Sequence, residues 1–266
     1  MKANILKTGG NSMKKGDFSQ LAKDYANFRP GYNLEVVKHI IYATGLKAED
    51  ICAADIGAGT GIFSKCLSKM GVERITAVEP NDEMRQVGEQ VSDSNIKFLK
   101  GSAENTSLPA KSYDLISMAS SFHWVNYTLA LKEFSKLLKR NGIFTALWNP
   151  RLTERSEVED EVQTVLSDKY KLSKRVSSGR SGVTEKLREI LQDSGHFTSS
   201  FYIDAIDTIY RTKEEYLGAW RSVNDIQSEL GIKNFDLFLK DIEKIIAEYE
   251  KIEVHYLTRA WVAKGK

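Results

Sequence analysis

Three glycines alternate at Gly57, Gly59 and Gly61, and a carboxylate, Glu79, follows eighteen residues after the last of them. Glycine lets a backbone take φ > 0 and bring its N–H groups close to a ligand at the start of a helix. An acid at that remove can accept hydrogen bonds from both hydroxyls of a ribose. These residue types therefore describe a nucleoside site, and their spacing narrows the nucleoside. A dinucleotide fingerprint, G-x-G-x-x-G, would place its third glycine where this chain has Ile62, so NAD is disfavoured.

Such a site needs a strand before the turn and a helix after it. Ile51 to Ile56 is an apolar run, and Ile62, Phe63, Cys66, Leu67 and Met70 share one helical face. Arg74 to Val78 then reads as a second buried strand ending at Glu79, and Pro80-Asn81 opens a helix with Asn81 as its cap. Further strands are expected at Ile96 to Leu99, Tyr113 to Ala119 and Ile143 to Trp148, with a helix capped by Thr128 before the last of these. In such an alternation ligands bind outside the carboxyl ends of the strands. That places Gly101-Ser102-Ala103-Glu104 and Ser120-Ser121-Phe122-His123-Trp124 beside the glycine loop. Ahead of the core, a helical pattern from Phe18 to Phe28 stops at Arg29-Pro30-Gly31, and an amphipathic helix runs from Leu34 to Leu46.

The second half is less regular. Ser156 and Glu159 form a capping-box pattern, Ser173 to Gly182 reads as a mobile loop, and a helix is expected near Thr184 to Gln192. A long strand from Phe201 to Arg211 follows, then a second capping box at Thr212 and Glu215, two helices, and a closing strand from Val254 to Ala263.

The segment Asp55-Ile56-Gly57-Ala58-Gly59-Thr60-Gly61 with Glu79 resembles the first two motifs of the class I S-adenosylmethionine (SAM)-dependent methyltransferases. Tyr25, Arg29, Pro30, Gly31 and Tyr32 resemble the leading element of the type 11, trans-aconitate methyltransferase-like group. The resemblance implies a Rossmann-like, doubly wound α/β fold with a seven-stranded sheet in the order 3-2-1-4-5-7-6, its last strand antiparallel, with helical cap insertions. It also implies a cofactor site of Tyr25, Arg29, Asp55, Gly57, Ala58, Gly59, Gly61, Glu79, Pro80, Met84, Ser102, Ala103, Glu104 and Ser120. In that site the glycine loop meets the methionine part, Glu79 holds the ribose, Met84 touches the adenine, and Tyr25 and Arg29 lie near the methionine carboxylate. Ser102 replaces the family's Asp, which weakens the adenine contact without removing it. The cofactor is SAM, its product S-adenosylhomocysteine, and no metal is expected.

A sulfonium methyl is already activated, so such an enzyme mainly aligns a nucleophile and excludes water. His123 is the candidate general base, because imidazole titrates near neutrality, and with Trp124 it is a candidate substrate contact. Carboxylate O-methylation of an aconitate-like acid leads among the reactions, and Arg151, Arg180 and Arg221 are candidates to grip such an acid. Transfer to N, C or a hydroxyl oxygen fits the same motifs, and a SAM-binding module without turnover is the rival from a different class.

The remaining composition sets limits. A net charge of +2 with scattered basic residues predicts no nucleic-acid surface. Two cysteines, Cys52 and Cys66, cannot make a disulfide framework and read as core residues of a reduced, cytoplasmic protein. No run approaches a membrane span. The expected organisation is a flexible extension over residues 1–16, with Met13 as a possible natural start, and a single domain over 17–266. Cap insertions are expected at roughly 151–195 and 212–250. The partner is a small molecule, and the oligomeric states open are monomer and homodimer.

Overall fold

In the computed structural model, residues 21–172 and 182–266 are described. The expected extension over 1–16, the start of the leading helix at Phe18, most of the Ser173 to Gly182 loop and Arg180 lie outside them. Sixteen elements alternate along the rest. They are α1 (Ala22–Phe28), α2 (Leu34–Ala43), β1 (Cys52–Ile56), α3 (Ile62–Lys69), β2 (Arg74–Val78), α4 (Asp82–Val91), β3 (Ile96–Leu99), β4 (Tyr113–Ala119), α5 (Tyr127–Leu137) and β5 (Leu138–Trp148). The second half adds α6 (Glu157–Asp168), α7 (Val183–Asp193), β6 (Phe197–Arg211), α8 (Lys213–Arg221), α9 (Asn224–Ile245) and β7 (Ile252–Gly265).

All seven strands form one sheet in the order β3-β2-β1-β4-β5-β7-β6. The five core strands are parallel, and β7 runs antiparallel to both β5 and β6. This is the Rossmann-like α/β architecture expected from the motifs. β1 and β4 are buried almost throughout, which matches their largely apolar sequences, since a parallel strand is covered on both faces. One core cluster packs α5 and α7 on one side of the sheet, and a second packs α2 and α3 on the other. A third lies beyond the sheet, where α6, α8 and α9 meet the start of β7.

Several ends differ from the sequence reading for local reasons. The α5 cap is Asn126, whose side chain accepts from Leu129 N, so the helix begins before Thr128. β5 starts at Leu138 rather than Ile143, because its polar first half pairs at Tyr113 while remaining partly exposed and carries little apolar signal. Ser156 caps α6, but Glu159 does not return to it; its carboxylate pairs with Arg151 instead. Asn81 caps α4, and Thr212 with Glu215 makes a full capping box, both as expected.

Candidate functional site

The carboxyl ends of β1, β2 and β4 open onto a cavity of about 330 Å³. The loop after β1 forms one wall. Gly57 N and Ala58 N both donate to Val78 O, at 2.8 and 3.1 Å, folding the loop back over β2. Gly57 has φ 66°, and a Cβ there would sit 2.8 Å from the Ser121 side chain, so the turn admits no larger residue. Ser121 Oγ donates to Ile56 O at 3.1 Å, which ties the β4 loop to the β1 loop.

Glu79 ends β2 and is 7% exposed, at the cavity wall. Gly59 N donates to its Oε2 at 2.8 Å and Asn81 N to its Oε1 at 2.9 Å. Burial raises its pKa, and these two backbone bonds oppose the rise. Each oxygen is held by one N–H, and a carboxylate has about four acceptor positions, so the group can still receive two hydroxyl donors.

The strap from α1 to α2 closes the cavity. Tyr25, Arg29, Pro30 and Tyr32 line it. Arg29 lies over the Tyr25 ring at 5.1 Å, and its Nη2 donates to Ser222 O at 3.1 Å. Its Nε is buried and meets no hydrogen-bond partner among the described residues. A buried guanidinium N–H left this way favours an anionic ligand. Tyr32 stacks edge-on against Phe63 at 5.4 Å, and its hydroxyl lies 2.9 Å from Ser120 Oγ. Ser120 takes φ 56° at the end of β4, a strained position for a side-chain-bearing residue and one that faces the site. Asn149 fixes the strap from the other side. Its amide donates to Gly31 O at 2.8 Å, while its carbonyl accepts from Thr258 at 2.9 Å.

Of the residues singled out in the sequence, Tyr25, Arg29, Gly57, Ala58, Gly59, Glu79, Pro80, Met84, Ser102, Ala103, Glu104, Ser120 and Trp124 line the cavity. Asp55, Gly61 and His123 are not among the lining residues. The Asp55 carboxylate lies beneath the loop, fully buried, accepting from Ser64 Oγ at 2.7 Å and Ser117 Oγ at 2.8 Å. Burial pushes its pKa up to about 6. Gly61 starts α3 beneath Phe98, where a Cβ would lie 2.8 Å from the ring, so it serves helix packing. Tyr32, Asn81, Ser121 and Asn149 line the cavity without having been selected. For Asn81 and Asn149 the signal was position, since the first directly precedes α4 and the second directly follows β5.

Residues 54–146 of the chain match the methyltransferase domain family. The chain is 34% identical over 125 residues to a Dictyostelium discoideum protein bearing the methyltransferase name, covering 47% of this chain and 46% of that protein. It is 29% identical over 134 residues to an uncharacterized methyltransferase of Mycobacterium bovis, covering 50% and 52%. The chain thus spans about half the length of the curated relatives it matches. A solved type II methyltransferase structure from Anaeromyxobacter dehalogenans shares the fold with a TM-score of 0.65 at 18% identity, over 89% of this chain and 98% of that one.

Within the matched segment, His123 lies outside the cavity lining and its ring is already engaged in a hydrogen bond. Trp148 Nε1 donates to its Nδ1 at 3.2 Å, which puts the ring's own proton on Nε2. Burial pushes the pKa down to about 4, partly opposed by the Asp225 charge. The ring packs 4.7 Å from Trp124 and 6.3 Å from Trp148. Because the folded pKa lies below the unfolded value, the unfolded chain binds a proton first as pH falls. Folding is therefore penalised progressively from pH about 6.5 down to about 4, with no effect above. Asp55 acts with the opposite sign, its raised pKa adding stability in acid that is lost as pH rises through about 6. A His123→Gln variant should accordingly gain melting temperature relative to the parent as pH is lowered from 6.5 to 4. A constant difference across that range would contradict the burial of the neutral ring.

Proposed function

We propose that this protein is a SAM-dependent methyltransferase acting on a small molecule. The observation that carries this is Glu79, a half-satisfied carboxylate at the cavity end of β2, opposite the glycine loop of a methyltransferase domain. The remaining acceptor positions of Glu79 suit the ribose, Ser102 to Glu104 and Met84 suit the adenine, and Tyr25 with the unpartnered Arg29 Nε suits the methionine carboxylate. Bound SAM supplies an activated sulfonium methyl that an acceptor lone pair can take, leaving the neutral thioether of S-adenosylhomocysteine. The chain's own contribution is to hold these groups in register and to keep water out behind the Tyr32–Phe63 pair.

Carboxylate O-methylation is the acceptor chemistry we propose, in a trans-aconitate-like manner. A carboxylate is ionised at neutral pH and needs no base, which agrees with a His123 whose basic nitrogen is already engaged. Arg151 and Arg221 do not serve as its anchor. Arg151 is buried against Glu159 at 3.2 Å, and Arg221 pairs with Glu214 at 2.5 Å and Asp24 at 3.4 Å. Among the cavity-lining residues Arg29 is the one cation, so the acid would be held largely by neutral donors. We also propose a single domain over 17–266, with α6, α8 and α9 forming the acceptor-side cap, while α7 covers the sheet. Among the described residues there is no cluster of metal-ligating side chains and no helix long and apolar enough to cross a membrane.

Calorimetric titration with SAM and S-adenosylhomocysteine, followed by a labelled-methyl screen of small acids, amines and hydroxyl compounds, tests the proposal. Micromolar binding with transfer to an acid is the expected result. Transfer to amines or hydroxyls alone would replace the acceptor class, binding without any transfer would favour a SAM-binding module, and no binding would overturn the reading.

A further inference from the structure

Phe28 closes α1, one residue before Arg29 and one turn after Tyr25. Its ring lies directly on α8 at Gly218. A Cβ built on Gly218 would meet Cδ1 of the ring at 2.7 Å, with Cγ and Cδ2 closer still. Gly218 is buried within α8 and has no positive φ, so the backbone does not require glycine there. Alanine would be the better helix former at such a position. What excludes a side chain is the ring. Cγ does not move when the ring turns about its own axis, so relief requires the whole side chain to swing or α1 to lift.

Three further contacts join the same two elements. Asp24 pairs with Arg221 at 3.4 Å, the Arg221 guanidinium lies 5.6 Å from the Phe28 ring centroid, and Arg29 Nη2 donates to Ser222 O at 3.1 Å. The segment that brings Tyr25 and Arg29 to the cavity is therefore seated on a helix far away in sequence.

We propose that Gly218 is a positioning residue for the cofactor site: its bare Cα is the seat for Phe28, and through Phe28 it sets where Tyr25 and Arg29 stand. This rests on the reading of the cavity as the SAM site. Gly218 touches no reacting group, and its effect passes entirely through α1.

The test is SAM calorimetry and melting temperature on the full chain, for the parent, Gly218→Ala, Phe28→Ala and the double variant. Gly218→Ala should weaken SAM binding about tenfold or more, the scale of a misplaced charged hydrogen bond, with the melting temperature close to the parent's. In the same variant KM for SAM should rise while kcat at saturating SAM is largely kept. In the Phe28→Ala background the added methyl should cost no further affinity, because the ring atoms it strikes, Cγ included, are gone. Parent-like affinity in Gly218→Ala, or an equal loss in both backgrounds, would overturn the proposal. Should Gly218→Ala fail to fold, Phe28→Ala alone decides: it loses the seat without adding an atom, so weakened SAM binding supports the proposal and parent-like binding overturns it. A parent that does not bind SAM would instead overturn the cofactor reading on which the proposal stands.

Discussion

Glu79→Ala is expected to weaken SAM binding by about 1–3 kcal/mol, a factor of roughly 5 to 150 in dissociation constant. The argument is geometric. One backbone N–H holds each carboxylate oxygen, from Gly59 at 2.8 Å and Asn81 at 2.9 Å, which fixes the group while leaving acceptor capacity facing the cavity. Alanine removes that capacity and also releases the two N–H groups that shape the loop, so some of the loss comes from a less ordered turn. Glu79→Gln separates the contributions. Its carbonyl oxygen can keep one backbone bond while the charge is lost, so it should bind SAM more tightly than the alanine variant and less tightly than the parent. Calorimetry on the three proteins measures this. An unchanged dissociation constant in Glu79→Ala would mean that another acid holds the ribose.

The largest expected loss of stability lies away from the cavity. Glu159→Ala should cost about 3–5 kcal/mol, because it leaves the buried Arg151 guanidinium without its counter-charge. Glu159 is fully buried and the Arg151 side chain is 9% exposed, with 3.2 Å between Nη1 and Oε1. Arg151 also donates from Nε to Tyr256 Oη at 3.3 Å and stacks over the Trp220 ring at 4.4 Å. Burial by itself would lower the pKa of the guanidinium, and the Glu159 charge outweighs it, so the group remains charged in the folded protein. A loss of that size corresponds to a fall of roughly 6–20 °C in melting temperature. The Arg151→Leu/Glu159→Leu double variant should lie much closer to the parent, since replacing both charges leaves no orphan. A single variant that melts within a degree or two of the parent would show that water or another group neutralises Arg151.

Much of the scaffold was legible because it is local. The largely apolar runs of β1, β2 and β4 coincide with these strands, so their limits could be read almost to the residue. β5 was read five residues short, since Lys139 to Gly142 lie in its more exposed half and burial does not constrain their polarity. The α5 cap was misplaced for a different reason. Asn126 and Thr128 are both good caps two residues apart, and only the fold selects between them.

The site divides along the same line. Alternating glycines and a distal acid are close in sequence, so a turn and the next strand bring them together unaided, and the sequence by itself determined the glycine-loop-with-acid wall of the cavity, while the sheet order was implied by the family resemblance. Asp55 and His123 have the right chemistry in the right loops, and only tertiary structure turned one under the loop and tied the other to Trp148. It also decided that Arg151 is spent on Glu159, that Asn149 and Thr258 clamp the strap, and that Phe28 needs a bare Cα at Gly218. Each of these depends on partners from separate segments, 109 residues apart for Asn149 and Thr258 and 25 for His123 and Trp148, and neither spacing nor periodicity can encode which side chain another segment will place alongside.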